Sequence, residues 1–429
     1  MNRIEITKAA RFSGEVTPPP DKSISHRAVM FSSLAKGTGV VRNFLRAQDT
    51  ESTMHAFRAL GIEIEDKGDT LIIQGKGLHG LTEPADVIDC GNSGTTMRLL
   101  SGVLCANPFF SVLSGDSSLR SRPMKRVIKP LSLMGARIMG RDRSTYAPLA
   151  IMGGNLIPIS YDMPVASAQV KSCLILAGLY TEGKTLVKEP TKSRDHTERM
   201  LPAFGAALQT DGLSVTVSGT RELSCQEIDV PGDFSSAAFF MVAATLIPGA
   251  EVILKDVGIN PTRTGLVDVL KDMGADIGIT NFRAVSGEPV ADIVCRGTGG
   301  LKAATVTGDM VPSLIDEFPI LCVAAAKAEG ITVIRGAEEL RVKESDRIKA
   351  MAMELAKMGV LIEEYPDGLS IQGTDMLRGA EVDSHGDHRI AMSLAVAGLT
   401  AQGTTTINNA SAVAISFPHF FSTIQRLSA

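Results

Sequence analysis

The chain has 429 residues, 44% of them hydrophobic and 21% charged, so it can bury two or three globular cores and is not disordered. With 43 Lys and Arg against 47 Asp and Glu, the net charge is −4, which argues against a general nucleic-acid-binding coat of basic residues. Aromatic residues make up only 4%, with no Trp, so we expect an aliphatic core typical of layered α/β proteins.

The cysteines and the N-terminus point to a reducing compartment. The six cysteines, at positions 90, 105, 173, 225, 295 and 322, form no CxxC pair, so we expect scattered, buried thiols rather than a zinc or redox motif. The opening MNRIEITKAARF lacks the apolar segment of a signal peptide, and the uncharged stretch 390–425 is interrupted by Gly, Asn and Pro. We therefore expect a cytoplasmic protein without a membrane span.

Six similar segments follow one another along the chain. Each has a polar start, an apolar helix rich in small residues, a turn, a short β run and, in most copies, a second helix closing on a Gly, as in LMGARI or DMGADI. The first helices read SISHRAVMFSSLA, GNSGTTMRLLSGVLC, SAQVKSCLILAGLY, DFSSAAFFMVAATL, DEFPILCVAAAKA and DHRIAMSLAVAGL. The copies are longer than the ~20–50 residues of a solenoid repeat, so each suits a small subdomain.

Runs with strand character lie between these helices: TLIIQG (70–75), ADVIDC (85–90), LSVTVSG (213–219) and LSIQG (369–373). They predict the order β-α-β-α-β-β in each copy, and therefore an α/β fold of six subdomains grouped as two domains of three.

Two Pro-containing stretches mark where the chain passes between these domains, VTPPPDKS (16–23) and EIDVPGDFSS (227–236). We predict one domain from residues 1–16 and 230–429, which includes the N-terminal strand, and a second from residues 17–229. A double hinge near 16–21 and 227–233 would let them open and close around a cleft.

Cations stand at helix starts, where the helix dipole disfavours each of them by ~0.3–1 kcal/mol. They are Lys22, Arg27, Arg98, Lys171 and Arg389. The Ser, Asn and Asp residues beside them are also ordinary N-caps, which is the plainer interpretation of any single copy. Because several copies share the cations, we predict one or two strongly anionic ligands between converging helix ends.

Three further motifs are rich in cations: SLRSRPMKR, KSRDHTER and ELRVKESDR. Such runs are usually solvated helix faces, but Lys343, Glu344 and Arg347 lie between a β run and a helix, where a cation beside a carboxylate suits an acid/base site. His385 and His388 have no third ligand nearby in sequence, so we expect no metal. The chain has no P-loop, dinucleotide GxGxxG or GxSxG motif, so ATP, NAD and a serine nucleophile are not indicated.

Read together, the motifs resemble the 5-enolpyruvylshikimate-3-phosphate synthase family over about residues 10–420. They are PPPDKSISHRA, DCGNSGTTMRLLSG, SGDSSLRSRPMK, ASAQVKS, SRDHTERM, PGDFSSAAFF, IDEFPIL, LRVKESDRI and GDHRIAM. The resemblance implies a two-domain inverted α/β barrel of six βαβαββ subdomains and a monomeric transferase of the shikimate pathway, which leads to chorismate and the aromatic amino acids. It implies transfer of the enolpyruvyl group of phosphoenolpyruvate (PEP) to the 5-hydroxyl of shikimate 3-phosphate, through a tetrahedral intermediate, with release of phosphate and without metal or cofactor.

The resemblance also assigns roles to residues. The catalytic residues would be Lys22, Asp316 as base for the 5-hydroxyl, and Glu344 as proton donor to the PEP methylene. Shikimate 3-phosphate would be bound by Lys22, Ser23, Arg27, Ser167, Ala168, Gln169, Arg194, Asp316 and Lys343. PEP would be bound by Lys22, Gly94, Arg122, Gln169, Arg347 and Arg389.

The chain departs from the family pattern at two places. Many members carry a Lys just before SFP or TFP, where this chain has Ala414 and Ile415, and ASAQ replaces SSQ. SAQVK, SRDHTE and IDEFP resemble the class II branch, some of whose members tolerate glyphosate, whereas Gly94 is what sensitive members carry.

Two alternatives stay open at this point. The sister enolpyruvyl transferase acting on UDP-N-acetylglucosamine usually has a reactive Cys or Asp in a mobile loop, and no Cys lies between Cys105 and Cys173 here. An inactive or non-enzymatic anion-binding relative is the other; a nucleic-acid clamp of this kind would require stacking aromatic residues.

Overall fold

The structure is a computed structural model that describes residues 2–219 and 221–429. Its helices are α1 (Lys22–Leu34), α2 (Gln48–Ala59), α3 (Gly94–Leu104), α4 (Ser117–Ser121), α5 (Lys125–Leu133), α6 (Arg141–Ser144), α7 (Ala168–Gly178), α8 (His196–Met200), α9 (Phe234–Leu246), α10 (Gly265–Asp272), α11 (Val311–Leu314), α12 (Phe318–Ala326), α13 (Arg347–Lys357), α14 (His388–Thr400) and α15 (Phe420–Ser428). Short 3-10 helices lie at Leu201–Phe204, Glu338–Val342 and Ala410–Ile415.

The strands of the described residues are mostly short. They are β1 (Arg3–Thr7), β2 (Ser13–Val16), β3 (Lys36–Arg42), β4 (Glu63–Asp66), β5 (Leu71–Lys76), β6 (Ile88–Asp89), β7 (Phe110–Ser114), β8 (Arg137–Gly140), β9 (Tyr146–Met152), β10 (Ser160–Asp162), β11 (Lys184–Lys188), β12 (Ala207–Asp211), β13 (Ser214–Ser218), β14 (Glu227–Asp229), β15 (Glu251–Gly258), β16 (Asp276–Val285), β17 (Glu288–Arg296), β18 (Leu301–Lys302), β19 (Thr305–Val306), β20 (Ala328–Glu329), β21 (Ile331–Ile334), β22 (Leu361–Tyr365), β23 (Gly368–Gln372), β24 (Glu381–Asp383) and β25 (Thr404–Asn408).

The chain divides into two compact units. The first unit contains the chain up to Pro19 together with Pro231–Arg283 and Pro289–Ala429, and the second contains Pro20–Val230 and Ala284–Glu288. Residues 284–288, which the sequence predicts to lie with the C-terminal half, belong to the second unit. The double hinge stays a prediction.

The second unit contains three four-stranded sheets built on one plan. Their strand orders are β14-β3-β5-β4, β6-β7-β9-β8 and β10-β11-β13-β12. In each sheet the first pair is parallel and the remaining pairs are antiparallel. The second and third copies therefore follow the predicted order β-α-β-α-β-β. The first copy takes its opening strand, β14, from the far end of the unit, where Ile228 pairs with Val41.

The first unit repeats this plan with strands taken from both ends of the chain. Its main sheets have the orders β16-β17-β15-β2, β19-β21-β23-β22 and β1-β25-β24. Strand β2 pairs in parallel with β15, Val16 opposite Leu254, and β1 pairs antiparallel with β25, Ile4 opposite Ile407. The N-terminal strands are thus integral to the unit that contains the C-terminus.

Each unit has its own hydrophobic core around the first helices of its copies. Helix α9 is buried on every side, and α14 is buried along almost its whole length, which explains why their apolar residues show no amphipathic stripe. Gly398 in α14 lies so close to β1 that a Cβ there would be 3.0 Å from Ile6 Cγ2. The N-terminus of each helix is capped by an Asp side chain, Asp233 in α9 and Asp387 in α14.

The thiols agree with the prediction: all six cysteines are free, five are buried and Cys225 is half-buried. Among residues 2–219 and 221–429, no helix combines the length and the apolar character needed to cross a bilayer.

Candidate functional site

The start of helix α1 combines a cap, a cation and a buried acid. Asp21 accepts a hydrogen bond from Ile24 N at 2.8 Å and so caps the N-terminus of α1, which places Lys22 in the first turn of the helix. Lys22 Nζ donates to Asp49 Oδ2 at 3.1 Å, and both side chains are largely buried. Asp49, which sequence reasoning missed, therefore offsets the unfavourable position of this cation at the helix dipole.

Arg27, one turn further along α1, is held by neutral oxygens. Its Nε donates to Thr197 Oγ1 at 2.7 Å, its Nη2 to Ser172 Oγ at 2.8 Å and its Nη1 to Ser23 O at 3.0 Å. Burial lowers the pKa of Arg27 to about 10, against the opposing charge of Glu198. Arg27 is thus a buried, positioned cation that links α1 to the starts of α7 and α8.

The start of α3 brings together residues from three motifs. Arg98 Nη1 donates to Gln169 Oε1 at 2.5 Å, and Gln169 Nε2 donates to Thr95 Oγ1 at 3.0 Å. Arg122 is buried and donates to Asn92 Oδ1 at 2.6 Å and to Asn92 O at 3.1 Å. The predicted residues Arg122 and Gln169 therefore both contact the GNSGTT segment. Arg98, to which the resemblance assigns no role, is a partner of Gln169.

The remaining predicted residues of the second unit lie at the starts of α1, α7 and α8. Ser23 follows Lys22 in α1, Ser167 caps α7 by accepting from Val170 N at 3.4 Å, and Ala168 is the first residue of that helix. Arg194 is half-buried in the segment before α8. Six residues form what we call the second-unit cluster: Lys22, Arg27, Arg98 and Gln169 in the first two turns of α1, α3 and α7, Arg122 at the end of α4, and Arg194 before α8.

The first unit contains a separate cluster around Arg347, whose side chain is 1% exposed. Arg347 Nε donates to Asp387 Oδ2 at 2.8 Å, Nη2 to Glu344 Oε2 at 2.7 Å and Nη1 to Asp316 Oδ1 at 3.2 Å. Burial acts to lower the pKa of Arg347, but the negative charges of these three carboxylates outweigh it and raise the pKa above its usual value. We call Asp316, Lys343, Glu344, Arg347, Asp387 and Arg389 the first-unit cluster.

Asp387 connects the two predicted arginines of this cluster. It is fully buried, caps α14 by accepting from Arg389 N at 2.9 Å, and contacts the guanidinium of Arg347. Burial acts to raise the pKa of Asp387, but the charge of Arg347, together with its hydrogen bond, outweighs burial and lowers the pKa. Sequence reasoning recognised Asp387 only as a helix cap, since its partner is 40 positions away in the chain.

Asp316 and Glu344 are the accessible acids of the first-unit cluster, with side chains 17% and 20% exposed. Asp316 lies between two arginines, because Arg389 Nη2 is 3.4 Å from Asp316 Oδ2. Lys343 is half-buried next to Glu344, and burial lowers the pKa of its ammonium group. The cluster can therefore bind an anion through its cations while two carboxylates stay accessible for proton transfer.

The structure also places the two histidines, His385 and His388, and the positions 414 and 415, near which many family members carry a Lys. His385 Nε2 lies 2.8 Å from Glu354 Oε1, and His388 is buried. Among residues 2–219 and 221–429, no group of three or more His, Cys, Asp or Glu could hold a metal ion. Ala414 and Ile415 end the 3-10 helix Ala410–Ile415, so these two positions supply no cation.

The chain is similar to known proteins over nearly its whole length. The family model "EPSP synthase (3-phosphoshikimate 1-carboxyvinyltransferase)" matches residues 6–424. A 3-phosphoshikimate 1-carboxyvinyltransferase of Geobacter sp. (strain M21) is 57% identical over 420 residues, 98% of each chain, and one of Thermodesulfovibrio yellowstonii is 56% identical over 429 residues, 100% of each. The solved structure of EPSP synthase from Acinetobacter baumannii matches with a TM-score of 0.87 and 49% identity, covering 100% of this chain and 98% of that one.

This likeness confirms the predicted two-domain α/β fold class, and the relatives favour neither alternative function. The chain belongs to the EPSP synthase (3-phosphoshikimate 1-carboxyvinyltransferase) family of transferases, as its motifs predicted.

Proposed function

We propose that this chain transfers the enolpyruvyl group of PEP to the 5-hydroxyl of shikimate 3-phosphate and releases phosphate, as a step of the shikimate pathway. The observation that carries the proposal is the first-unit cluster, in which the accessible carboxylates of Asp316 and Glu344 both contact Arg347. Anion-binding cations next to two acids are what an addition to PEP followed by loss of phosphate requires.

The second-unit cluster would bind much of shikimate 3-phosphate. Its phosphate and hydroxyls would contact the parts of α1, α7 and α8 that Arg27 connects through Ser172 and Thr197. The residues proposed to bind it are Lys22, Ser23, Arg27, Ser167, Ala168, Gln169, Arg194, Asp316 and Lys343. The cationic helix starts favour a phosphate, which carries about −1.5 to −2 charges.

The residues proposed to bind PEP are Lys22, Gly94, Arg122, Gln169, Arg347 and Arg389. Its carboxylate and phosphate would compete with Asp316 and Glu344 for Arg347 and Arg389. Binding of PEP would thereby release these two carboxylates from their arginines and make them available to the reacting atoms.

The proposed reaction then has two stages. Glu344 donates a proton to the PEP methylene, the 5-hydroxyl oxygen bonds to the adjacent carbon, and Asp316 accepts the hydroxyl proton. In the second stage Glu344 removes a proton from the new methyl group, the carbon–oxygen bond to phosphate breaks and the double bond forms again. The proton held by Asp316 passes to the departing phosphate. Lys22 and the arginines stabilise the negative charge of the departing phosphate. Holding both substrates in one orientation raises the effective concentration of the 5-hydroxyl at the PEP carbon and so accelerates the addition.

The direct test is phosphate release from PEP, measured with shikimate 3-phosphate and, in parallel, with UDP-N-acetylglucosamine. We expect release with the first acceptor only. Release with the second acceptor would favour the sister transferase, and a folded sample silent with both would overturn the proposal. A third arm adds glyphosate, an anionic phosphonate, which we propose competes with PEP for the same cations.

Replacing Arg122 with Ala is expected to raise the KM for PEP about tenfold or more while changing the affinity for shikimate 3-phosphate less than threefold. A charge-assisted hydrogen bond to an anion is worth about 1.5–3 kcal/mol, or roughly ten- to hundredfold. Steady-state kinetics with each substrate varied, beside the exposed control Arg137→Ala in the same unit, measure this. Equal weakening of both substrates would contradict the assignment.

Replacing Gly94 with Ala is expected to weaken PEP binding by about tenfold, because the added Cβ would lie 3.0 Å from Arg98 Nη1 and 3.5 Å from Arg122 Nη1. Overpacking of this kind costs about 1–3 kcal/mol when neighbours cannot move freely. The control is Gly154→Ala, where a Cβ meets nothing within 4 Å. If Gly94→Ala kept the wild-type KM for PEP, Gly94 would not line the PEP site.

We further propose that the protein acts as a cytoplasmic monomer without cofactor and without a nucleic-acid partner. The net charge of −4 and the aromatic content of 4% support the last point, since nucleic-acid binding favours basic surfaces and stacking aromatics. Light scattering at assay concentration measures the oligomeric state.

A further inference from the structure

Three charged side chains are enclosed in the second unit, and the proposed chemistry does not use them. Lys171 Nζ lies 2.7 Å from Glu189 Oε1 and 2.6 Å from Glu198 Oε1. The side chains are 0%, 0% and 4% exposed, so none of the three reaches a substrate directly. We call Lys171, Glu189 and Glu198 the buried triad. Burying a charge costs free energy unless ion pairs and hydrogen bonds of good geometry compensate for the lost water. We therefore ask what the buried triad contributes to the structure or to function.

The buried triad shapes the segment that carries Arg194. Glu189 Oε2 accepts hydrogen bonds from Ser193 N at 3.1 Å and from Ser193 Oγ, and Lys171 Nζ donates to Ser193 O at 3.4 Å. These contacts close residues 189–193 into a turn between β11 and α8. Arg194, proposed to bind shikimate 3-phosphate, is the next residue, so its backbone position follows from this turn.

A triangle of hydroxyl contacts lies directly beside the buried triad. Ser172, next to Lys171 in α7, and Thr197, next to Glu198 in α8, are 2.7 Å apart through their hydroxyl oxygens. Both accept hydrogen bonds from Arg27. The triad and the triangle therefore connect the same pair of helices, and the triangle extends the connection to α1.

The geometry points to Lys171, Glu189 and Glu198 as positioning residues for shikimate 3-phosphate, an inference that rests on the proposed function. Together they hold α7, α8 and the 189–193 turn in the one arrangement that aims Arg27 and Arg194. Arg122, which is proposed to bind PEP and not shikimate 3-phosphate, bonds instead to Asn92, just before α3. Because Lys22 and Gln169 are proposed to bind both substrates, we expect the triad to affect shikimate 3-phosphate much more than PEP, rather than shikimate 3-phosphate alone.

The test is Glu189→Gln, which keeps the shape of the side chain but removes its charge and one of its acceptors. The matched control is Asp292→Asn, a buried acid in the first unit that accepts from Lys255, Asp256 N and Asn281. Calorimetry measures binding of shikimate 3-phosphate without PEP, kinetics give the KM for PEP and kcat, and thermal unfolding reports the fold.

We expect Glu189→Gln to weaken shikimate 3-phosphate binding at least tenfold while the KM for PEP and kcat at saturation change less than threefold. Asp292→Asn should lower the Tm without changing the affinity for shikimate 3-phosphate or the KM for PEP. Equal weakening of both substrates, or wild-type binding by folded Glu189→Gln, would overturn the inference. Wild-type protein that bound no shikimate 3-phosphate would instead overturn the proposed function, which separates the two failures.

A second variant covers the case in which Glu189→Gln does not fold. Lys171→Met combined with Glu189→Gln removes one cation and one anion together, so Glu198 keeps the charge of Arg27 as its counterpart. We expect this double variant to fold and to bind shikimate 3-phosphate at least tenfold more weakly than wild type. Wild-type affinity in the double variant would overturn the inference, because this variant lacks both ion pairs of the triad.

Discussion

Glu344→Gln is expected to lower kcat by about 10²–10⁴-fold, which is the contribution typical of a general acid. The amide keeps an oxygen that can accept the 2.7 Å hydrogen bond from Arg347 Nη2, so Arg347 stays in place and both substrates should bind within about threefold of wild type. The amide cannot donate an acidic proton to the PEP methylene, so the first chemical step slows. Single-turnover phosphate release with both substrates saturating measures that step separately from binding.

The matched control for this experiment is Glu338→Gln, an exposed glutamate on the 3-10 helix just before the cluster. It should leave kcat unchanged. If Glu344→Gln lost binding together with rate, Glu344 would be a structural partner of Arg347. If it lost neither, the proton would come from another group, and the proposed mechanism would be wrong.

Arg347→Gln is expected to lose turnover and to lower the free energy of unfolding of the first unit by about 3–5 kcal/mol, the cost typical of breaking a buried ion pair. The reason is Asp387, which is fully buried and loses the guanidinium that lies 2.8 Å from its Oδ2. Denaturant unfolding measures the stability. Arg335→Gln, which breaks a largely exposed pair with Asp367, is the control and should cost about 0–1 kcal/mol.

Combining Arg347→Gln with Asp387→Asn separates stability from function. Removing both charges leaves no unpaired buried ion, so much of the lost stability should return. Turnover should not return, because the double variant still lacks a cation proposed to bind PEP. Stability losses that simply add would show that the two residues do not interact, and recovered turnover would show that Arg347 acts only as a partner for Asp387.

The sequence alone determined the repeated plan of the fold. The runs TLIIQG and LSVTVSG became β5 and β13, and LSIQG became β23, because alternation and bounding turns are local properties that a short segment expresses by itself. The motifs were sufficient to identify the family, and Lys22, Arg122 and Glu344 were named from them. Asp49 could not be found this way, since its contact with Lys22 spans 27 positions.

Tertiary structure decided how distant segments meet. It alone paired β14 with β3, placed the turn at 284–288 in the second unit, and brought Asp387 to Arg347 across 40 positions. It also enclosed Lys171 with Glu189 and Glu198, where the sequence suggested only another cation at a helix start. A helix cap and an ion-pair partner have the same local sequence pattern. Which role a residue takes depends on which groups the packed helices bring to hydrogen-bonding distance, about 3 Å. The residues next to it in sequence do not determine that distance.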